Sequence, residues 1–180
     1  MIQTNIEDFI SIYETIIPQQ KFVYLSTPIT TGPRFLEWYN SVGKDLDDNT
    51  YVLKHKQEVI KPNETDAYFR AIKLSHQLGE MIVNPAQFKA NLSQQQFTRF
   101  WVKFVNEHSS SVILSDGWAL SKGCVSEFLA AEQNSIPYFD AELNKIPIDD
   151  AIKKIKEAIL QLNVAQLNCD IQKGMLEELW

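Results

Sequence analysis

The sequence predicts an α/β fold, a doubly wound and mainly parallel sheet of the Rossmann-like or flavodoxin-like kind with helices on both faces. Two observations carry this. Short β-rich apolar runs alternate with helical patterns of roughly 10–15 residues, the signature of parallel strands joined by helical crossovers. The first three strand runs end in turn chemistry, at Thr27-Pro28, Asn84-Pro85 and Asp116-Gly117. Crossovers of this kind are right-handed almost without exception, and ligands collect at the carboxyl ends of the strands. Three loops lie there: Ser26–Arg34, Asn84–Gln87 and Ser115–Lys122.

The elements follow in order. Residues 4–17 have the spacing of a helix: Thr4 and Glu7 form a capping box, Ile6, Phe9, Ile10, Tyr13 and Ile17 share a face, and Pro18 stops it. Lys21–Ser26 is the first buried strand. A short helix over Phe35–Val42 follows the Gly32-Pro33 turn. The stretch 43–63 reads as an irregular connection with one strand around Tyr51–Leu53. Thr65–Leu78 is a helix with Ala67, Ala71, Leu74 and Leu78 on one stripe and Gly79 ending it. Met81–Asn84 is the second strand. Ser93 and Gln96 box the start of an amphipathic helix carrying Phe97, Phe100, Trp101, Phe104 and Val105. Val112–Leu114 is the third strand, Ser121–Asn134 its following helix, and Ile136–Phe139 the fourth strand. Asp149 is expected to cap a last helix with Ile152, Ile155, Ile159 and Leu162 inward. The tail from 165 to 180 is weakly periodic. With helix 4–17 it forms a peripheral addition to one domain spanning 1–180, and either addition reads as a homo-oligomer surface.

Bulk properties narrow the function classes. The chain has 180 residues, enough for one sizeable core, with 44% hydrophobic and 22% charged residues, an ordinary soluble composition. A net charge of -6 argues against a nucleic-acid partner, which requires a basic footprint. The 2 cysteines, Cys124 and Cys169, and 3 histidines, His55, His76 and His108, have no metal-site or disulfide spacing, so no metal and no cofactor are expected. No signal peptide and no membrane span are visible, which leaves a cytoplasmic location as the default.

Residues 115–127 (Ser-Asp-Gly-Trp-Ala-Leu-Ser-Lys-Gly-Cys-Val-Ser-Glu) join the third strand to a helix and carry the densest chemistry. The helix start offers free N–H groups to an anion. With Ser121 as N-cap, Gly123 and Glu127 stack on one face, and the carboxylate leans back toward the loop. A glutamate placed so can attack an anomeric carbon. It can equally be a solvated helix residue favoured by the dipole, worth under ~1 kcal/mol. Gly123 admits a ligand or packs against the sheet, and Ser121 binds phosphate, caps, or does both. Asp116 is a ribose ligand, a general acid, or half of an Asp-Gly turn. Trp118 stacks on a base or lids the core. Cys124 reads as a small buried residue. Phe22, Tyr24 and Ser26 alternate onto one strand face, so the Tyr24 hydroxyl reaches the site or simply fills the core.

Together these pieces resemble the nucleoside 2-deoxyribosyltransferase superfamily, which includes deoxynucleoside 5′-monophosphate N-glycosidases and an uncharacterised nucleotide-binding branch. Tyr24-Leu25-Ser26-Thr27-Pro28 resembles its opening strand and loop. Asp116-Gly117-Trp118 with Ser121, Gly123 and Glu127 resembles its second motif, and Asn84-Pro85 sits where the family has a strand followed by proline. The likeness spans roughly residues 21–140. It implies Glu127 as the nucleophile at C1′, Tyr24 as its orienting partner, Ser121 on a 5′-phosphate with Gly123 keeping the backbone open, and a variable role for Asp116. Ser26, Thr27, Pro28, Gly117 and Trp118 would line the substrate.

Two departures accompany the likeness. Thr27 stands where the family has glycine, and the helix before the third strand lacks, at Gln94–Trp101, the aspartate that protonates the departing base. Asp116 and Glu107 are the candidate substitutes. The resemblance implies hydrolysis or transfer at the N-glycosidic bond of a nucleoside or nucleotide. The alternative is a nucleotide-binding module with weak or no turnover. Relatives form dimers or larger oligomers, so the resemblance implies a homodimer or a higher homo-oligomer.

Overall fold

The computed structural model describes residues 21–90 and 92–178, and the helix expected over 4–17 lies outside them. Four strands, β1 (Phe22–Ser26), β2 (Ile82–Val83), β3 (Ser109–Leu114) and β4 (Tyr138–Phe139), form one sheet in the order β2-β1-β3-β4. All its pairings are parallel. From β1 the chain steps outward to β2, then crosses back over β1 to reach β3. The strand order reverses there, so the chain leaves β1 and β3 toward opposite faces of the sheet, the arrangement that places ligands at the strand ends in such folds.

Alternation along β1 divides the core. Val23 and Leu25 face Ala71 and Leu74 of α3 (Lys61–Leu78). Phe22 and Tyr24 join the larger cluster with Phe104 of α4 (Gln94–His108), numbered after α1 (Pro33–Ser41) and α2 (Asp48–His55), and with Phe128 of α5 (Lys122–Gln133). Helices therefore cover both faces, as a doubly wound sheet requires. The α4 capping box forms as its spacing predicts, with Ser93 and Gln96 satisfying each other's backbone N–H.

Residues 43–63 differ from expectation. No strand forms around Tyr51–Leu53. Asp47 caps α2, which runs through a π-turn (Lys56–Ile60) directly into α3. Pro62 explains the turn. It lacks an N–H, and its ring would crowd the carbonyl four residues back, so inserting one residue relieves both conflicts. Lys61 N–H accordingly bonds to the carbonyl of Lys56. The π-turn puts Val59 against Phe35 and Trp38 of α1. His55 is not isolated: its Nε2 lies 2.8 Å from the Thr30 carbonyl and its ring stacks on Trp38.

Two later elements also differ. α6 (Ile148–Val164) takes Pro147, not Asp149, as its N-cap residue, and Asp149 and Asp150 occupy its first turn, the favourable end of the dipole. Its buried stripe is Ala151, Ile155, Ala158 and Leu162: of the residues expected inward, Ile155 and Leu162 are buried, and Ile152 and Ile159 are half-buried at its edge. The described part of the tail forms α7 (Asp170–Glu178). It buries Gln172 and Met175, and the Gln172 amide donates to the Ala119 carbonyl at 3.3 Å. Met175 and, partly, Leu176 thus join this chain's own core, while Ile171 is exposed. Among the described residues no helix is long and apolar enough to cross a membrane.

Candidate active site

The carboxyl end of β1 meets the first turns of α5, and a buried carboxylate lies between them. Tyr24 Oη donates to Glu127 Oε1 at 2.8 Å, and Ser26 Oγ donates to Glu127 Oε2 at 2.6 Å. The period of a strand puts residues 24 and 26 on one face, and the helix start aims residue 127 back at them. Tyr24 and Ser26 are fully buried and Glu127 is 8% exposed. Trp101 and Phe104 wall the tyrosine ring at 5.8 and 5.9 Å.

Electrostatics follows from this burial. Loss of water raises the Glu127 carboxyl to about 7, against the opposing pull of the two hydroxyl donors, Ser26 first and Tyr24 second. Burial, and then the neighbouring Glu127, pushes the Tyr24 phenol well above its ordinary value, so it stays a donor. Burial and the same carboxylate push the Cys124 thiol up to about 12, which rules out a thiolate nucleophile near neutrality.

The loops after β1 and β3 are joined. Ser115 N–H donates to the Ser26 carbonyl at 2.9 Å, and the Thr27 and Ser115 hydroxyls share a 2.7 Å hydrogen bond. Two glycines make the junction. Gly117 has φ +71, and a Cβ there would lie 2.2 Å from Cδ of Pro33. Gly32, at φ 96 and ψ -170, occupies a region open essentially to glycine alone. Pro28 is buried beneath it, where a Gly32 Cβ would stand 2.7 Å from its own Cβ.

The remaining expected residues separate. Ser121 is the α5 N-cap and accepts from Cys124 N–H at 3.4 Å. A Cβ on Gly123 would meet only Ser121 Oγ, at an ordinary contact distance of 3.9 Å, so a small side chain would fit there. Trp118 is a core residue: it is 3% exposed, with its ring 4.8 Å from Phe128. It also lines a cleft of about 240 Å³ between the 115–120 segment and α6. Asp116 does not join the carboxylate cluster. Its side chain is 78% exposed and stands 3.8 Å from Arg70. Glu107 pairs with Lys103 in the last turn of α4, which leads straight into the amino end of β3, the opposite edge of the sheet from Ser26.

Ser26 was expected on the substrate and instead grips the carboxylate; its alternation with Tyr24 was the available signal. Arg70, Asn63 and Arg34 were missed. They line or brace a second cleft, of about 120 Å³, between α3 and the two loops. Among the described residues no group of three or more His, Cys, Asp or Glu is placed to hold a metal. No family model, no curated protein and no solved structure matches the chain.

Proposed function

We propose that this protein cleaves the N-glycosidic bond of a nucleoside or its 5′-phosphate through Glu127. The observation that carries this reading is the buried carboxylate held at both oxygens by Tyr24, in the middle of β1, and Ser26, at its carboxyl end. A buried carboxylate with fixed oxygens is oriented for attack at an anomeric carbon. In the forward step a Glu127 oxygen bonds to C1′, the C1′–N bond breaks, and its electron pair leaves with the base. Water or a second base then attacks C1′ and frees the glutamate. In this reading the sugar reaches Glu127 from the start of α5, where Gly123 lies one helical turn before it and carries no side chain. No α4 carboxyl faces this step, so the departing base takes its proton from water and turnover is slow.

The test is free base, measured by chromatography after incubating pure protein with a panel of nucleosides and nucleoside monophosphates. Release by the parent and none by Glu127→Ala supports the reading. Release unaffected by that change contradicts it. Because the nucleophile must be ionised, release should rise with pH through about 7. Ser26→Ala removes a hydrogen bond to the charged form, worth ~1.5–3 kcal/mol, and should move that inflection upward by about one pH unit or more. An unmoved inflection would show that the Ser26 contact is idle.

One observation favours a second reading, a nucleotide-binding module with little turnover. The single acid of α4, Glu107, lies at the wrong edge of the sheet, and Asp116 faces Arg70. Nucleotide binding without base release would select it.

A further inference from the structure

We propose that the crevice between α3 and the loops after β1 and β3 is a phosphate-binding site, with Arg70 as its cation and Asp116 as the group a phosphate displaces. This site is separate from the Glu127 cluster and does not require glycosyl chemistry.

The two arginines beside the crevice are held differently. Arg34 is committed: Nη1 donates to Asn63 Oδ1 at 2.5 Å and Nη2 to Asp66 Oδ2 at 2.9 Å. Asn63 is fixed in turn by its amide donating to the Ile29 carbonyl at 2.8 Å. The Arg34–Asp66 pair neutralises itself and braces the wall. Arg70, by contrast, stands 3.8 Å from an Asp116 carboxylate that is 78% exposed. That separation is too long for a hydrogen bond, and a solvated pair of this kind contributes ~0–1 kcal/mol. The guanidinium fork is therefore open to a better acceptor, and its planar donors match phosphate oxygens two at a time.

The crevice suits that acceptor. Its volume of about 120 Å³ holds about four waters at ~30 Å³ each, room for one tetrahedral oxyanion. Thr27 and Ser115 line it and share one hydrogen bond, which leaves one hydroxyl proton free to donate. It also sits at the point where the strand order reverses, the place where doubly wound sheets take ligands. Thr27 adjoins Ser26, which grips Glu127. A phosphate here is thus one residue from the carboxylate cluster, on the other side of β1's end. Free phosphate and a nucleoside 5′-monophosphate present the same dianion.

The experiment is calorimetric titration with sodium phosphate and, separately, with a panel of deoxynucleoside 5′-monophosphates, using sodium chloride at equal ionic strength as the blank. Phosphate or monophosphate should bind the parent. Arg70→Gln should weaken that binding at least tenfold, and Asp116→Asn should tighten it severalfold by removing the competing carboxylate. Monophosphates binding more than tenfold tighter than phosphate would identify the ester as the ligand; equal affinity would identify the free ion. No heat beyond the chloride blank, equal binding by Arg70→Gln, or weaker binding by Asp116→Asn would overturn the proposal. Base release that persists without phosphate binding would leave Glu127 chemistry standing, and phosphate binding without base release would leave this site standing.

Discussion

Glu127→Gln is expected to slow base release at least ~10³-fold while leaving ligand affinity within a few-fold. The size follows from the role: removing a nucleophile takes away the covalent route, and what remains is positioning alone. Glutamine suits the test because it keeps both contacts. Its amide oxygen accepts from Tyr24 Oη, and its NH₂ donates to Ser26 Oγ, which can turn from donor to acceptor. Shape and hydrogen bonds persist and only the charge disappears. Single-turnover release and equilibrium binding of the same nucleoside separate the two effects. A variant that keeps parental release would move the chemistry to another group.

The second large effect is on stability and runs the opposite way. The folded Glu127 carboxyl sits at about 7 against an ordinary 4.5, so the folded state holds its proton more tightly than the unfolded chain. Its contribution is therefore fully present below 4.5 and is lost as pH rises through about 7. Above that range the parent carries a buried charge costing ~3 kcal/mol at 1.36 kcal/mol per pH unit. Glu127→Gln carries none. At pH 8 the variant should melt about 5 °C or more above the parent, since ~1 kcal/mol corresponds to ~2–4 °C at this chain length. At pH 4 to 5 the two should nearly coincide. Scanning calorimetry across pH 4–8 checks this. A difference that does not grow with pH would mean that the carboxylate is well solvated. Lower activity with higher stability in one variant is the usual trade at a functional site.

Much of this architecture is legible in the chain, for identifiable reasons. β1, β3 and α5 carry dense apolar runs bounded by Pro, Gly and Ser, and Ser93 and Gln96 mark the start of α4 because a capping box is local chemistry. The failures are equally physical. α2 buries none of its residues, and Val52 and Leu53 are exposed, so its apolar pattern carries no helical phase. The π-turn inserts a residue before Pro62 and shifts the stripe, which makes a continuous helix read as irregular chain. α7 hides its period behind Gln172, a buried polar residue whose amide serves the Ala119 carbonyl.

The site divides in the same way. The Tyr24–Glu127 approach depends on strand alternation and on the lean of helical side chains, both local rules. Whether Asp116 turns toward Glu127 or toward Arg70 depends on where α3 packs, and no spacing encodes that. The same holds for Arg70, whose importance appears only once α3 lies against the loop after β1.

The central claim is that Glu127 bonds covalently to a sugar carbon, and intact-protein mass spectrometry tests it most directly. Incubation with a 2-fluoro-2-deoxyarabinosyl nucleoside, whose fluorine slows the second step, should add one fluorosugar to the protein with loss of the base. Peptide mapping should place it on Glu127, and Glu127→Gln should stay unlabelled. Free base accumulating while the protein stays unlabelled, or a label on any other residue, would contradict the account.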